Sequence, residues 1–331
     1  MQALQIEAYD SRLRLVEKAV PIPKNGQVLI RIATSPINPY DLMFLRGEYG
    51  IKKRLPIVPG FEASGIVVDS GTGIRARALV GRQVACGALD DDDGTWAEYM
   101  VTAWNRCLPI LTRLNPEQSA MLLVNPLTAL ALLEIARRGH HHSLVQTAAA
   151  SALGRMILAL AKQQNITTIN IVRRSEQVQL LKSLGAEHVI DMNQTDFDHH
   201  LRELCQRFNT TIAFETVAGE LTGQILGAMP QGAKLIVVGA ISRETCKLNP
   251  HDFIFEGKSL NGFWLSKWFP RQSFFYQIYA GLRVQILAAS KLKSDIRARV
   301  PLEKVVEAIE QYESRMTEGK ILIVPGLKND Q

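Results

Sequence analysis

Cysteine is scarce in this chain: there are four in 331 residues, at Cys86, Cys107, Cys205 and Cys246. No two stand at C-x-x-C spacing, which argues against a structural zinc cluster, and so thin and scattered a supply argues against a disulfide framework. Long apolar runs are also missing. The longest, around Ala120 to Ala136, is broken by Asn125 and Pro126, so no segment approaches membrane-spanning length. Residues Met1 to Asp10 lack the basic stretch and apolar core of a signal peptide. Internal repeats and low-complexity linkers are absent. A soluble protein of a reducing cytoplasm is expected, with no membrane partner. The net charge of +6 would suit nucleic acid, but equally an anionic small molecule such as a phosphorylated cofactor. The one dense basic stretch, Lys291 to Arg299, has no interleaved aromatics and reads as a solvated face, so a nucleic-acid partner is not expected.

What is present is a change of pattern along the chain. The first part holds short apolar runs separated by Gly, Pro and Asn: Val28 to Ile32, Gly65 to Val68, Val80 to Val84 and Trp96 to Val101. These predict a small irregular β-barrel. From about Pro116 the segments lengthen to helical period. After residue 143 strands and helices alternate: Leu144–Ala149, Leu153–Gln164, Thr168–Val172, Ser175–Leu184, His188–Ile190, Asp196–Phe208, Thr211–Glu215, Leu221–Met229 and Lys234–Gly239. That series predicts βαβ units and a doubly wound parallel sheet, hence an α/β protein. Ile321 to Val324 reads as a further strand, expected to return to the first domain. The expected domains are 1–118 with 267–331, and 119–266.

The first βα junction of such a sheet is its natural phosphate site, because a helix N-terminus offers unpaired N–H groups. Here it reads Ala148-Ala149-Ala150-Ser151-Ala152-Leu153-Gly154, followed by Arg155. Small residues allow the backbone to approach a pyrophosphate closely. Only Gly154 remains of the glycine pattern, with Ser151 and Ala152 where glycines are common; an ordinary tight βα turn would look similar. The second strand ends in Arg173-Arg174-Ser175. An acid there would bind the ribose 2′-hydroxyl and select NAD; two forked guanidinium groups would instead pair with the 2′-phosphate of NADPH.

Several ordered segments make the whole chain resemble the medium-chain dehydrogenase/reductase superfamily. Ile37-Asn38-Pro39-Tyr40-Asp41 is similar to its N-P-x-D motif, Arg46-Gly47-Glu48-Tyr49 to its G-x-Y segment, and Pro59 to Gly65 to its G-x-E-x-x-G motif. Val124 to Ala129, Leu181 to Ile190 and Gly262 to Ser266 resemble the 2-enoyl thioester reductases, one of its zinc-free branches beside the quinone oxidoreductases. The resemblance implies a GroES-like barrel followed by a Rossmann domain. Zinc-dependent relatives carry Cys and His where this chain has Asn38 and Phe61, so no metal is expected: neither an amide nor a phenyl ring replaces thiolate and imidazole.

Without a Lewis acid an isolated ketone lacks a polarising group. A conjugated acceptor differs, because hydride adds at the β carbon and charge flows to the carbonyl oxygen. The expected activity is NADPH-dependent reduction of an activated C=C bond, as in an enoyl thioester. The alternatives are an NADPH:quinone oxidoreductase and, in another class, a non-catalytic family member that binds NADPH or nucleic acid. The resemblance implies a catalytic role for Tyr49, as proton or hydrogen-bond donor; the Asn38 amide could donate to the substrate carbonyl or to the cofactor ribose, though a turn residue before Pro39 needs no such role. The resemblance places Asn125 and Thr128 beside the nicotinamide. Val238, Gly239, Ala240 and Ile241 would line the nicotinamide, Phe263, Trp264, Leu265 and Ser266 would cross the cofactor, and Lys320 would lie near its adenine-phosphate end. It also implies a homodimer or homotetramer joined along an edge strand at Leu260 to Leu265. The acids Asp90 to Asp93 read as a solvated loop, and neither His140 to His142 nor Cys86 has the neighbours of a ligand set or an activated thiolate.

Overall fold

The structure is a computed structural model that describes residues 1–327. Strands β1 (Gln2–Gln5) and β2 (Arg14–Glu17) form an antiparallel hairpin. Strand β3 (Gln27–Pro36) leads through Ile37 and Asn38 into helix α1 (Pro39–Leu45). Strand β4 (Glu62–Ser70), helix α2 (Ile74–Arg77), and strands β5 (Gln83–Gly87), β6 (Tyr99–Ala103) and β7 (Cys107–Pro109) follow, then helix α3 (Pro116–Ser119). The expected barrel is there, with its strands displaced. Val80 to Arg82 form a turn rather than a strand start, and Trp96 precedes β6, held by its carbonyl to the Leu4 N–H at 2.9 Å. Strand β4 threads so close to β3 that a Cβ on Gly65 would stand 2.2 Å from the Arg31 carbonyl oxygen.

Helix α4 (Asn125–Arg138) opens the second part of the chain. Strands β8 (Ser143–Gln146), β9 (Thr167–Val172), β10 (His188–Asp191), β11 (Ile212–Glu215), β12 (Lys234–Val237) and β13 (Ser259–Gly262) are all parallel. Their order across the sheet is β10-β9-β8-β11-β12-β13, the doubly wound dinucleotide-binding order with its reversal beside β8. Helices α5 (Ala152–Gln163), α6 (Ser175–Ser183), α7 (Phe197–Arg207), α8 (Glu220–Ala228) and α9 (Pro250–Ile254) provide the crossovers. Helix α7 shows why the sequence packs this way. Phe197, Leu201, Leu204 and Cys205 recur at helical spacing and are buried among Val145, Ile169 and Ala213 of the sheet.

Short helix α10 (Leu265–Trp268) and helix α11 (Phe274–Ala288) precede β14 (Ile296–Val300), helix α12 (Val305–Ser314) and β15 (Lys320–Ile323). Strand β15 pairs with β3 and with β14, giving the order β14-β15-β3-β4-β5-β7, with β6 also on β3. The return predicted for Ile321 to Val324 is therefore observed. The basic stretch 291–299 ends as part of edge strand β14, where Arg299 binds both carboxylate oxygens of Glu117.

The chain forms two compact units, Met1–Pro126 with the segment from Gly281 onward, and Leu127–Ala280. Both junctions fall later than the expected 118/119 and 266/267. The reason is local bonding. Val124 N–H donates to Glu62 in the barrel, and Gln285 on the second half of α11 bonds Pro109 and Leu111. The first unit has cores around Trp96, Phe44 and Tyr312 and around Val28, Ile30 and Met100. Among the described residues no helix is long and apolar enough to cross a membrane.

Gly65→Ala tests the close strand approach. The added methyl has backbone rather than a flexible side chain in its way, so a loss of about 2–3 kcal/mol in unfolding free energy is expected from denaturant titration. A change below about 0.5 kcal/mol would contradict the register.

Candidate functional site

The barrel unit gathers a buried polar cluster at the start of α1. The Asn38 side-chain amide donates to the Tyr40 hydroxyl at 2.7 Å and to Glu62 Oε1 at 3.1 Å, and its carbonyl oxygen accepts from Lys320 Nζ. Tyr40 donates in turn to Glu62 Oε1 at 2.9 Å. Glu62 Oε2 accepts from the Val124 N–H, and Asp41 Oδ2 accepts from the Asn38 backbone N–H at 2.8 Å, closing the first turn of α1. Lys320 also reaches the Tyr312 hydroxyl at 3.4 Å.

Two expectations are corrected by this arrangement. Asn38 is 1% exposed, and its amide is engaged on every side, so it presents no donor to a substrate. It joins α1 to β4 and β15 instead. Lys320 is 4% exposed and turned into the same cluster, so it offers no ammonium to an adenine-end phosphate. Conversely, sequence reasoning passed over Tyr40 and Glu62. The only signal for them was an acid and a phenol inside two short motifs read for other residues.

The cluster is electrostatically demanding. Burial pushes the Glu62 and Asp41 carboxyls above their ordinary range, Asp41 strongly so. Burial, then the Glu62 and Asp41 carboxylates, raise the Tyr40 phenol well above its usual value. Tyr40 therefore stays a hydrogen-bond donor at any physiological pH.

Tyr49 lies on the loop after α1, half-buried. Its ring stands 5.1 Å from Phe61 and 6.1 Å from Tyr40. Phe61, at a zinc-ligand position of relatives, also packs edge-on to Phe44 at 5.2 Å. Behind this aromatic wall Lys53 lies 5.3 Å from the Phe61 ring centre and donates to the Asp92 carbonyl at 2.7 Å. Burial lowers the Lys53 ammonium to about 8, against the opposing pull of Asp90, Asp93 and Asp92. The acidic run is thus not a free solvated loop. Asp93 bonds Lys18 at 2.6 Å and the Val58 N–H at 2.9 Å, and Asp90 meets Arg106. Among the described residues no group of three or more His, Cys, Asp or Glu could hold a metal ion. The residues at the zinc positions do not fit one either: a fully engaged amide and a phenyl ring.

The second unit holds the βα loop expected to meet a phosphate. Strand β8 ends at Gln146, earlier than expected, because Ala148 turns into the left-handed region at φ 45°. The loop then enters α5. Ser151 caps that helix, its hydroxyl accepting from the Gly154 N–H at 3.1 Å. Gly154 is required by packing: a Cβ there would stand 2.4 Å from the Ala149 carbonyl oxygen. Thr147, Ser151, Leu153, Gly154, Thr216 and Val238 line a crevice at the ends of β8 and β11. This is where strand order reverses and where ligands of such sheets bind. Ala152 and Arg155 begin α5 with Leu153. Buried Glu215, also missed in sequence, shapes the crevice. It accepts from Thr147 Oγ1 and from the Val217 and Ala218 N–H groups, and burial raises its carboxyl.

Arg173, Arg174 and Ser175 are exposed where β9 gives way to α6. Asn193 binds the Arg173 carbonyl at 2.7 Å and ties that turn to the end of β10. Val238, Gly239 and Ala240 follow β12 half-buried, with the Val238 N–H on the Glu215 carbonyl at 2.7 Å, and Ile241 is exposed. Phe263 continues from β13, its N–H on the Val237 carbonyl and its ring 5.9 Å from Trp268. Trp264 carries Lys267 over its ring, and Leu265 and Ser266 start α10. Asn125 opens α4 at the end of the first unit; Thr128, in the second, is 5% exposed.

Comparison with known proteins agrees with these two units. The family model described as alcohol dehydrogenase GroES-like domain matches residues 24–112, and that described as zinc-binding dehydrogenase matches 152–279. The mitochondrial enoyl-[acyl-carrier-protein] reductase of Arabidopsis thaliana is 30% identical over 267 residues, 78% of this chain and 70% of that protein. A Leishmania amazonensis protein provisionally called a quinone oxidoreductase is 28% identical over 95% of this chain and 94% of its own length. A crystal structure from Mesorhizobium loti, provisionally called an NADPH:quinone reductase, superposes with a TM-score of 0.91 at 34% identity, covering 98% of both chains.

Glu62→Gln gives a pH test of the cluster. A carboxyl whose folded pKa is raised stabilises the fold below its unfolded value, near 4.5, and that contribution is lost as pH rises. The difference in Tm between variant and native protein should therefore shift in the variant's favour from pH 4.5 upward. A difference constant with pH would show that Glu62 titrates as in the unfolded chain.

Proposed function

Because the chain belongs to the medium-chain dehydrogenase/reductase superfamily, we propose that it reduces an activated C=C bond, as in a trans-2-enoyl thioester, with NADPH as reductant. The chain is an oxidoreductase by that kinship; the substrate and the residue roles are our reading. The observation that carries it is the composition of the Asn38 cluster. Where zinc-dependent relatives polarise a carbonyl, this chain has an amide engaged on all sides and an aromatic wall. A substrate that accepts charge through its own conjugation suits such a site.

Bound NADPH supplies the hydride for the β carbon. The Tyr49 hydroxyl donates a hydrogen bond to the carbonyl oxygen as charge builds there, and can pass on the proton that completes reduction at the α carbon. Phe61 and Tyr40 hold the Tyr49 ring from two sides. The Ala152 and Leu153 N–H groups at the α5 N-terminus receive the pyrophosphate. Arg173, Arg174 and Ser175, at the start of α6 and with no acid ending β9, receive the 2′-phosphate. Val238 to Ala240 and Phe263 to Ser266, with Asn125 and Thr128, are assigned to the nicotinamide half. A quinone substrate is the second reading, favoured by the likeness to the Mesorhizobium loti protein over nearly the full chain. A place in the cytoplasm suits the scattered free thiols.

The deciding assay follows NADPH oxidation with crotonyl-CoA and with a simple ortho-quinone. Thioester turnover that falls about 10²–10⁴-fold in Tyr49→Phe is expected. Turnover of the quinone alone establishes the second reading. In Arg173→Ala/Arg174→Ala the NADPH KM should rise about 10–100-fold, from the loss of charge-assisted hydrogen bonds, with NADH little changed. Equal use of both cofactors by the native protein would sink the 2′-phosphate assignment.

The outer edge of β13 ends the parallel sheet, and we assign it the joint of an even-numbered oligomer. Light scattering should report a dimer or tetramer; a monomer at high concentration overturns this.

A further inference from the structure

Strands β5 and β7 run antiparallel with Cys86 directly opposite Cys107. Their neighbours reveal what kind of pair this is. The Ile110 N–H donates to the Gln83 carbonyl at 3.0 Å, which marks Gln83 and Ile110 as a hydrogen-bonded pair. Pair types alternate along an antiparallel ladder. Ala85 with Leu108 is then the next hydrogen-bonded pair, and Val84 with Pro109 and Cys86 with Cys107 are non-hydrogen-bonded ones. Pro109 agrees with this register, since it has no N–H to offer. At non-hydrogen-bonded pairs the Cα atoms stand about 4.5 Å apart and the two side chains leave one face together. A disulfide spans Cα separations of about 4.4–6.8 Å. Both side chains pack on one apolar cluster with Ala63, Val84 and Ala88, and both thiols are free.

We propose that Cys86 and Cys107 are an oxidisable dithiol site that closes to a cross-strand disulfide under a peroxide. Cys107, the less buried of the two, loses its thiol proton and attacks one peroxide oxygen. The O–O bond breaks, an S–O bond forms, and the departing hydroxide takes up the proton as water. The Cys86 sulfur then attacks the sulfenic sulfur: the S–S bond forms, the S–O bond breaks, and the hydroxyl leaves with the Cys86 proton as a second water. Two thiols lose two electrons and the peroxide gains them. Burial holds the Cys107 thiol at about 12 and raises Cys86 well above its usual value, so closure is slow at neutral pH. The site is a slow staple rather than a fast sensor. The loop it closes carries the Asp90 to Asp93 run that binds Lys18 and Lys53, and β6.

The test treats the full chain with hydrogen peroxide in mildly alkaline buffer, then unfolds and alkylates it without reductant. Expected are an intact mass lower by two hydrogens before alkylation, alkylation confined to Cys205 and Cys246, and a proteolytic peptide pair joined through Cys86 and Cys107. The thermal midpoint of the oxidised protein should rise and fall back on reduction. Cys107→Ser should give no linked pair, and the peptide map of the native chain decides the matter even where that variant folds poorly. Oxygen addition at Cys107 without linkage, linkage to Cys205 or Cys246, or no change in mass would each overturn the proposal.

Discussion

One side-chain amide holds together three segments that are far apart in sequence. Asn38 faces Lys320 of β15 through its oxygen, and Glu62 of β4 and Tyr40 of α1 through its nitrogen. Charge makes the junction strict. One buried ammonium faces two buried carboxyls, Glu62 and Asp41, and Asp41 Oδ1 has no hydrogen-bond partner. Leaving both carboxyls ionised would bury a surplus negative charge at a cost of several kcal/mol. The raised affinity of both for a proton relieves that surplus, and the phenol of Tyr40 shares the burden by donating to Glu62. Removing any one member leaves another buried and unpaired, which is the expensive case. The position of α1, and with it the loop that carries Tyr49, follows from this junction.

The second unit rests on a different constraint, the distance between backbone and backbone. Gly154 is the one glycine kept in the first βα loop because the Ala149 carbonyl occupies the space of a Cβ. The neighbouring position tolerates serine, since Ser151 sits at an ordinary helix-cap conformation and uses its hydroxyl on the Gly154 N–H. The residue that does take the left-handed conformation is Ala148, which adopts it without glycine's freedom. So the loop departs from the glycine pattern only where geometry lets it. Thr147 and Glu215 secure the neighbouring strand end by side-chain bonds added to their backbone ones.

The alternation of strands and helices after residue 143 was readable because the longer crossover helices carry an apolar face, as Phe197, Leu201 and Leu204 show in α7. The barrel was less readable. Its strands pair across long separations, so local composition placed their existence but not their ends, as at Trp96 and Val80. The site divided in the same way. The Ser151 to Gly154 loop and the arginines after β9 are local features, set by adjacent residues. The roles of Asn38 and Lys320 depend on a contact 282 positions apart, and no local pattern records it. Likewise the acids Asp90 to Asp93 read as mutually repelling until their cations, supplied by Lys18, Lys53 and Arg106, are seen around them.

The two corrections bear on chemistry together. A site that keeps Asn38 and Lys320 for internal bonding has withdrawn an amide from substrate binding and a cation from the cofactor's phosphate. What it leaves at the aromatic wall is a tyrosine, framed by Phe61 and Tyr40. A phenol can donate one hydrogen bond to a developing oxyanion, which is worth less than a Lewis acid on an unactivated carbonyl. The smaller stabilisation is enough only where the substrate delocalises the incoming charge itself. An unsaturated thioester and a quinone both do so, and a simple ketone does not. The proposed preference for conjugated acceptors therefore rests on the same physical argument as the unsuitability of an amide and a phenyl ring as zinc ligands, and the choice between such acceptors falls to the length and shape of what lies beyond the carbonyl.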